Sequence, residues 1–256
     1  MIRYNEEKKA NEICLINIFK SIDGEAFHAG QPTVFVRTFG CNLRCPFCDT
    51  KECWTKENFN KVYEGKLNLS WMTADEIIAK VEEMEKGFPY KSICLTGGEP
   101  LLPENDPVTF ELVEKLINLH YAVNVETDGA VDYRPWKEKF KKIVIADWYG
   151  NREGLSLITD WKLPCSKMNK KMIESNLSIL DELDVIKCVI TDALEDWEEF
   201  ERICKSGTKA KLYLSPCFGE VTMSKIPEFV IAHPEYKITA QLQQHKFFWS
   251  PKEKDV

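Results

Sequence analysis

No stretch of this 256-residue chain reaches 18 uninterrupted apolar residues, which argues against a hydrophobic membrane-spanning helix. The opening, MIRYNEEKKANE, is charged and has no apolar core, so it does not read as a secretory signal. Basic residues are not in excess. There are 34 Lys and Arg against 41 Asp and Glu, a net charge of −7, which argues against a broad nucleic-acid surface. No Pro-, Ser- or Gly-rich linker and no low-complexity tract divides the chain. One domain spanning residues 1–256 is therefore expected, and 44% hydrophobic residues suit a full core. Without a secretory signal, the ten cysteines read as reduced cytosolic thiols, and a cluster of them as metal ligands.

Such a cluster is present in Phe35–Thr50, FVRTFGCNLRCPFCDT, where Cys41, Cys45 and Cys48 form a C-x3-C-x2-C array. A regular helix would place the three on one face, but Pro46, Gly40 and Asn42 favour a loop entered from an apolar strand. Three thiolates within eight residues are soft ligands converging on one point. An iron–sulfur cube is ordinarily held by four cysteines, so three would leave one iron open for chemistry. Three buried thiols, or a zinc knuckle borrowing a fourth ligand, are the alternatives. Cys53, five residues past Cys48, could supply that fourth ligand and make the site a non-catalytic electron carrier or anchor. Cys14, Cys94, Cys188, Cys204 and Cys217 sit in apolar or helical contexts and read as packing residues.

Strand-like and helix-like segments alternate along the chain, which predicts a parallel β/α architecture. Expected strands are Ile13–Phe19, Thr33–Phe39, Ser92–Thr96, Ala122–Glu126, Ile143–Ala146, Leu157–Lys162, Val185–Ile190, Lys211–Leu214 and Lys237–His245. Thr73-Ala-Asp-Glu76 is a capping box opening a helix to about Lys86. Further helices are expected over Pro107–Leu119, Pro135–Phe140, Met168–Leu180 and Leu194–Cys204, and residues 51–70 read as a polar insertion. The count predicts an α/β fold with a partial (β/α)6-type barrel, its cysteine loop following the first barrel strand and its chemistry at the C-terminal strand ends. Strand alternation supports this. Arg37, Glu126, Asp160 with Lys162, Lys187, and the Thr239–Gln241–Gln243–His245 face put polar groups near the ends of five strands, which predicts a wet lumen.

Thr96-Gly97-Gly98-Glu99-Pro100 follows a strand. Its glycines would let backbone approach a ligand, and Glu99 would accept from an ammonium group. With the upstream cysteines, this motif resembles the radical S-adenosylmethionine (SAM) superfamily, whose members carry a 4Fe–4S cluster on C-x3-C-x2-C and cleave SAM at the fourth iron. A glycyl-radical activating enzyme of the same superfamily is the alternative, but it would need a protein-sized opening.

A narrower likeness is carried by Ser21-Ile-Asp-Gly-Glu25, VFVR ending at Arg37, GCNLRCPFCDT, Val125-Glu-Thr-Asp-Gly129, Asp160-Trp-Lys-Leu-Pro164, Ser215-Pro-Cys-Phe-Gly-Glu220 and Gln243-Gln-His-Lys246. From about residue 14 onward the chain resembles the 7-carboxy-7-deazaguanine synthase family. That resemblance implies a lyase reaction turning 6-carboxy-5,6,7,8-tetrahydropterin into 7-carboxy-7-deazaguanine plus ammonia, in queuosine-type biosynthesis. It implies a 4Fe–4S cluster on Cys41, Cys45 and Cys48, and Mg²⁺ at Thr50. SAM would lie against Phe47, Cys48, Asp49, Gly97, Gly98, Glu99, Asp128 and Ser166. The pterin would lie against Ile22, Asp23, Gly24, Glu25, Arg37, Thr96, Glu126, Gln243, His245 and the terminal Val256. It further implies residues 244–256 as a tail over the site, a flavodoxin or ferredoxin as electron donor, a homodimer and a cytoplasmic location. The chain departs from the family pattern where Pro164-Cys165-Ser166-Lys167 replaces Pro-Ser-Ser-Gly, where Asp128 replaces Asn, and where Asp255-Val256 replaces Gly-Val.

Overall fold

A computed structural model describes residues 11–54, 69–88, 91–140 and 154–249. In chain order its main elements are β1 (Ile13–Ile22), β2 (Pro32–Thr38), β3 (Ser70–Met72), α1 (Ala74–Met84), β4 (Ser92–Gly97), α2 (Asp106–Asn118), β5 (Ala122–Thr127), α3 (Arg134–Lys139) and β6 (Gly154–Asp160). There follow α4 (Asn176–Ile179), β7 (Val185–Ile190), α5 (Leu194–Cys204), β8 (Lys211–Pro216), α6 (Lys225–Ala232), β9 (Thr239–Ala240) and α7 (His245–Phe248).

The strands form one sheet in the order β3-β1-β2-β4-β5-β6-β7-β8-β9. Every pair from β2 to β9 is parallel, whereas β1 pairs antiparallel with both β2 and β3. Successive side chains on a strand point to opposite faces of the sheet. Val34, Val36, Ile93, Leu95, Val123, Val125, Leu157, Ile186 and Leu214 share one face by register and join the main core. Helix α1 begins as its capping box dictates. Glu76 N donates to Thr73 Oγ1 at 3.3 Å, and Thr73 N donates to Glu76 Oε2 at 2.9 Å. Its Ala74, Ile77, Ile78 and Val81 then bury one helical face.

The parallel run agrees with the expected partial barrel, but four local expectations change. Met168–Leu180 is not one helix; it is a 3-10 turn at Asn169–Lys171 followed by the short α4. The cause is Asn176, fully buried, whose Nδ2 donates to Gly129 O and Val131 O and whose Oδ1 accepts from Tyr133 N. That side chain ties the segment to the loop after β5 in preference to local helix. Lys237–His245 is not a nine-residue strand, since only Thr239 and Ala240 pair with β8. Beyond them Gln241 Oε1 accepts from Ala26 N at 3.0 Å, so the chain leaves the sheet for the loop after β1. Strand β3 and helix α6 were not anticipated. The expected strand Ile143–Ala146, and residues 55–68 of the insertion, lie outside the described residues.

Candidate active site

The C-terminal ends of β2, β4, β5, β6 and β7 open into one cavity of about 590 Å³. Strand register explains which side chains meet there. Arg37 on β2 is paired with Thr96 on β4, and Asp160 on β6 with Lys187 on β7.

The loop leaving β2 carries Cys41, Cys45 and Cys48 onto the cavity wall. Leu43 N donates to Cys41 Sγ at 3.3 Å, and Cys48 N donates to Cys45 O at 3.2 Å. Arg44 Nη1 closes the loop by donating to Cys41 O at 2.7 Å and Leu43 O at 2.6 Å, with its guanidinium 4.9 Å from the Trp54 ring. The loop is locked to the strand β4 turn by Gly98 N donating to Thr38 O and Glu99 N to Gly40 O. The two glycines are required by this packing. A Cβ at Gly97 would stand 2.4 Å from Thr38 O, and one at Gly98 would stand 1.7 Å from Gly40 O. The close approach expected for a ligand is thus first an approach of the cysteine loop itself.

The donor set suits an iron–sulfur cluster. Among the described residues no three Cys, His, Asp or Glu side chains converge on a single metal ion, but all three thiols of the loop line one cavity. Each thiolate of a cluster binds a different iron, so a spread arc is what it needs. Burial pushes the Cys41 thiol up to about 12 and the Cys45 thiol up to about 11. Ionising them therefore calls for the positive charge of bound iron. Cys53 does not join them. It is fully buried with Cys14, Ile16 and Leu69, away from the cavity wall, so the fourth-ligand alternative loses its geometric support.

Of the residues expected around SAM, Phe47, Cys48, Asp49, Gly97, Gly98 and Asp128 line the cavity. Glu99 and Ser166 do not, and both are fully buried. Glu99 accepts from Thr127 Oγ1, Asp128 N and Leu101 N, so its carboxylate braces the β4 and β5 ends from behind. Ser166 Oγ donates to Leu163 O at 2.6 Å and accepts from Met168 N at 3.0 Å, closing its own turn. Asp128 keeps one oxygen for Ala130 N and holds the other 3.9 Å from Cys41 Sγ. Thr50 also faces the cavity, with Oγ1 3.8 Å from Cys48 Sγ.

Of the residues expected around the substrate, Ile22, Gly24, Glu25, Arg37, Thr96, Glu126 and Gln243 line the same cavity. The Arg37 guanidinium lies 4.8 Å from the Phe19 ring, which stacks on Phe35. Thr96 Oγ1 donates to Glu126 Oε2 at 2.5 Å. Glu25 pairs with Lys187 through one oxygen and accepts from Gln243 Nε2 at 3.1 Å through the other. Asp23 sits buried behind the wall and not on it. Burial first, and then Glu126, raise its carboxyl to about 8. His245 falls in α7, and Val256 lies outside the described residues.

Alternation had marked Asp160, Lys162 and Lys187 as lumen charges without giving them a role. They form a connected set, with Lys162 Nζ 2.7 Å and Lys187 Nζ 3.7 Å from Asp160 Oδ2. Burial opposes a charge on Asp160, but the two lysines outweigh it and hold its carboxyl below the usual range. Phe19, Trp54, Phe218, Glu220 and Lys246 also line the cavity and were missed. Cys217, read as a packing residue, is buried but touches the cavity too.

Among the described residues no helix is long and apolar enough to cross a membrane. A radical SAM superfamily model matches residues 35–151, and that superfamily implies a 4Fe–4S cluster and SAM. The 7-carboxy-7-deazaguanine synthase of Clostridium acetobutylicum is 31% identical over 245 residues, covering 94% of this chain and 98% of that protein. That of Koribacter versatilis is 31% identical over 260 residues, covering 94% and 99%. The crystal structure of QueE from Escherichia coli aligns with a TM-score of 0.63 at 20% identity, over 90% of this chain and 94% of that one, and shares its fold. With its thiol loop and relatives matched from end to end, this chain belongs to the 7-carboxy-7-deazaguanine synthase family of radical SAM proteins.

Proposed function

We propose that the protein rearranges 6-carboxy-5,6,7,8-tetrahydropterin into 7-carboxy-7-deazaguanine with release of ammonia, a lyase step in queuosine-type 7-deazapurine biosynthesis. The observation that supports this is one cavity lined both by the three thiols of the cysteine loop and by Arg37, Thr96, Glu126 and Glu25. A cluster held by Cys41, Cys45 and Cys48, with SAM beside it, would supply reversible hydrogen-atom abstraction in which SAM is not consumed.

The chain's own residues bind and orient. The planar fork of Arg37 matches a carboxylate and is braced by the Phe19 ring. Glu126, held by Thr96, and Glu25, held by Lys187, present acceptors to the amine and amide N–H groups of a pterin edge. Phe47, Asp49, Asp128, Gly97 and Gly98 form the SAM side, with Glu99 and Ser166 acting through the backbone they brace. Thr50 would hold Mg²⁺ beside Cys48, and Mg²⁺ with Arg37 would fix the substrate carboxylate. His245 and Val256 belong to the tail that completes the substrate side. A flavodoxin or ferredoxin as donor, a homodimer and a cytoplasmic setting complete the reading.

The test is an anaerobic assay of the reconstituted protein with SAM, reductant, Mg²⁺ and carboxytetrahydropterin. Carboxydeazaguanine should accumulate without stoichiometric loss of SAM. Steady SAM consumption with no deazapurine product would refute the reading.

A further inference from the structure

Lys187 is 7% exposed and stands in the middle of β7, where an apolar side chain would be the ordinary choice. Its ammonium pairs with Glu25 from the loop after β1 and lies 3.7 Å from Asp160 on β6. Glu126 on β5 acts on it as a third carboxylate, while Lys162, two residues past β6, shares Asp160 with it, and Asp23 lies behind Glu25. Contact does not stop at Glu25. Its second oxygen accepts from Gln243 Nε2, Gln243 Oε1 accepts from Lys246 Nζ at 2.6 Å, and Lys246 Nζ lies 3.9 Å from Asp49 on the cysteine loop. Backbone contacts run alongside, with Ala26 N donating to Gln241 Oε1 and Gln244 N to Gly24 O. A line of polar contacts therefore crosses from the sheet, over the cavity, to the loop bearing the thiols.

We infer that Lys187 is a positioning residue, which fixes the Glu25 carboxyl in place and through it seats residues 241–246 across the cavity. Glu25 is buried, and its two oxygens are taken by Lys187 and by Gln243. Lys187 is the cation that touches it, and three carboxylates outweigh burial to hold that lysine charged. Without that contact the Glu25 carboxyl would be free to turn from a ring N–H, and Gln243 would lose the anchored acceptor it donates to.

The inference takes only its probe from the proposed reaction. Equilibrium binding of 6-carboxy-5,6,7,8-tetrahydropterin is measured on the reconstituted full-length chain, without reductant. Lys187→Met should weaken binding at least about tenfold, the loss expected for a charge-assisted hydrogen bond. Amide exchange over residues 241–246 should quicken, while iron content and the response of the reduced cluster to SAM stay unchanged. In a Glu25→Gln background, adding Lys187→Met should change affinity by less than about twofold, because the lysine acts through that carboxylate. This double variant also removes the unpaired buried charge, so it serves where the single one does not fold. Unaltered affinity and exchange in Lys187→Met, or full additivity with Glu25→Gln, would overturn the inference. If the native protein fails to bind the pterin, the proposed reaction falls, and exchange over residues 241–246 alone decides the role of Lys187.

Discussion

The carbonyl oxygen of Gly40 occupies the place a side chain on Gly98 would need, 1.7 Å from that chain's first carbon. The cysteine loop and the turn after β4 are therefore one packed unit. Gly98→Ala should push the loop off the turn and destabilise the protein by on the order of 1–3 kcal/mol, as overpacking does. Iron content after anaerobic reconstitution should fall with the melting temperature. A variant that takes up full iron would show that the loop can move at little energetic cost.

Cys53 and Cys45 should part company on substitution. Cys53 is fully buried among apolar neighbours, so Cys53→Ala costs about 1 kcal/mol from lost packing and leaves both iron content and the SAM-induced change in the reduced cluster's spectrum intact. Cys45→Ala should lose the cluster. Loss of iron from the Cys53 variant would return that residue to the ligand set.

Asp23 makes stability depend on pH. Its carboxyl titrates at about 8 in the fold against an ordinary 3.8, with burial as the first cause. Between those values the folded chain holds a proton that the unfolded chain has released, so stability falls as pH rises through this window. Asp23→Asn removes that term, and its amide oxygen can still accept from Glu25 N. Denaturant melts at successive pH values should show the variant gaining on the native protein from about pH 4 to pH 8, by a few kcal/mol at the upper end. A constant difference across the range would exclude a buried neutral Asp23.

Asn176 tests the fold away from the chemistry. Asn176→Ala strands Val131 O and Tyr133 N inside the protein, while Gly129 O keeps its bond from Ile173 N, so a loss of about 2–4 kcal/mol is expected, with cluster content kept at low temperature. Thermal melts would check it.

These residues also mark where reading the sequence stops working. Strands β2, β4, β5 and β7 were legible because parallel pairing demands apolar runs, and α1 because its capping box is local. The thiol loop was legible because its ligands are neighbours in sequence. Asn176 was not, because the carbonyls it binds lie 47 and 45 residues away. Lys237–His245 alternates as a strand would, but a contact from Gln241 to Ala26, 215 residues apart, takes it off the sheet. Glu99 has the chemistry of a ligand for an amine, and nothing local shows that Thr127, Asp128 and Leu101 already claim it.

From β5 to β9 each strand pairs with the one before it in sequence, so that run of the sheet can be laid down in the order of synthesis. The wall that carries Glu25 is the exception, since it gains its Gln243 contact from 218 residues downstream. A growing chain thus displays its three cysteines in a basin with one side missing, open to iron delivery, and the basin is roofed only after the rest of the sheet has been made.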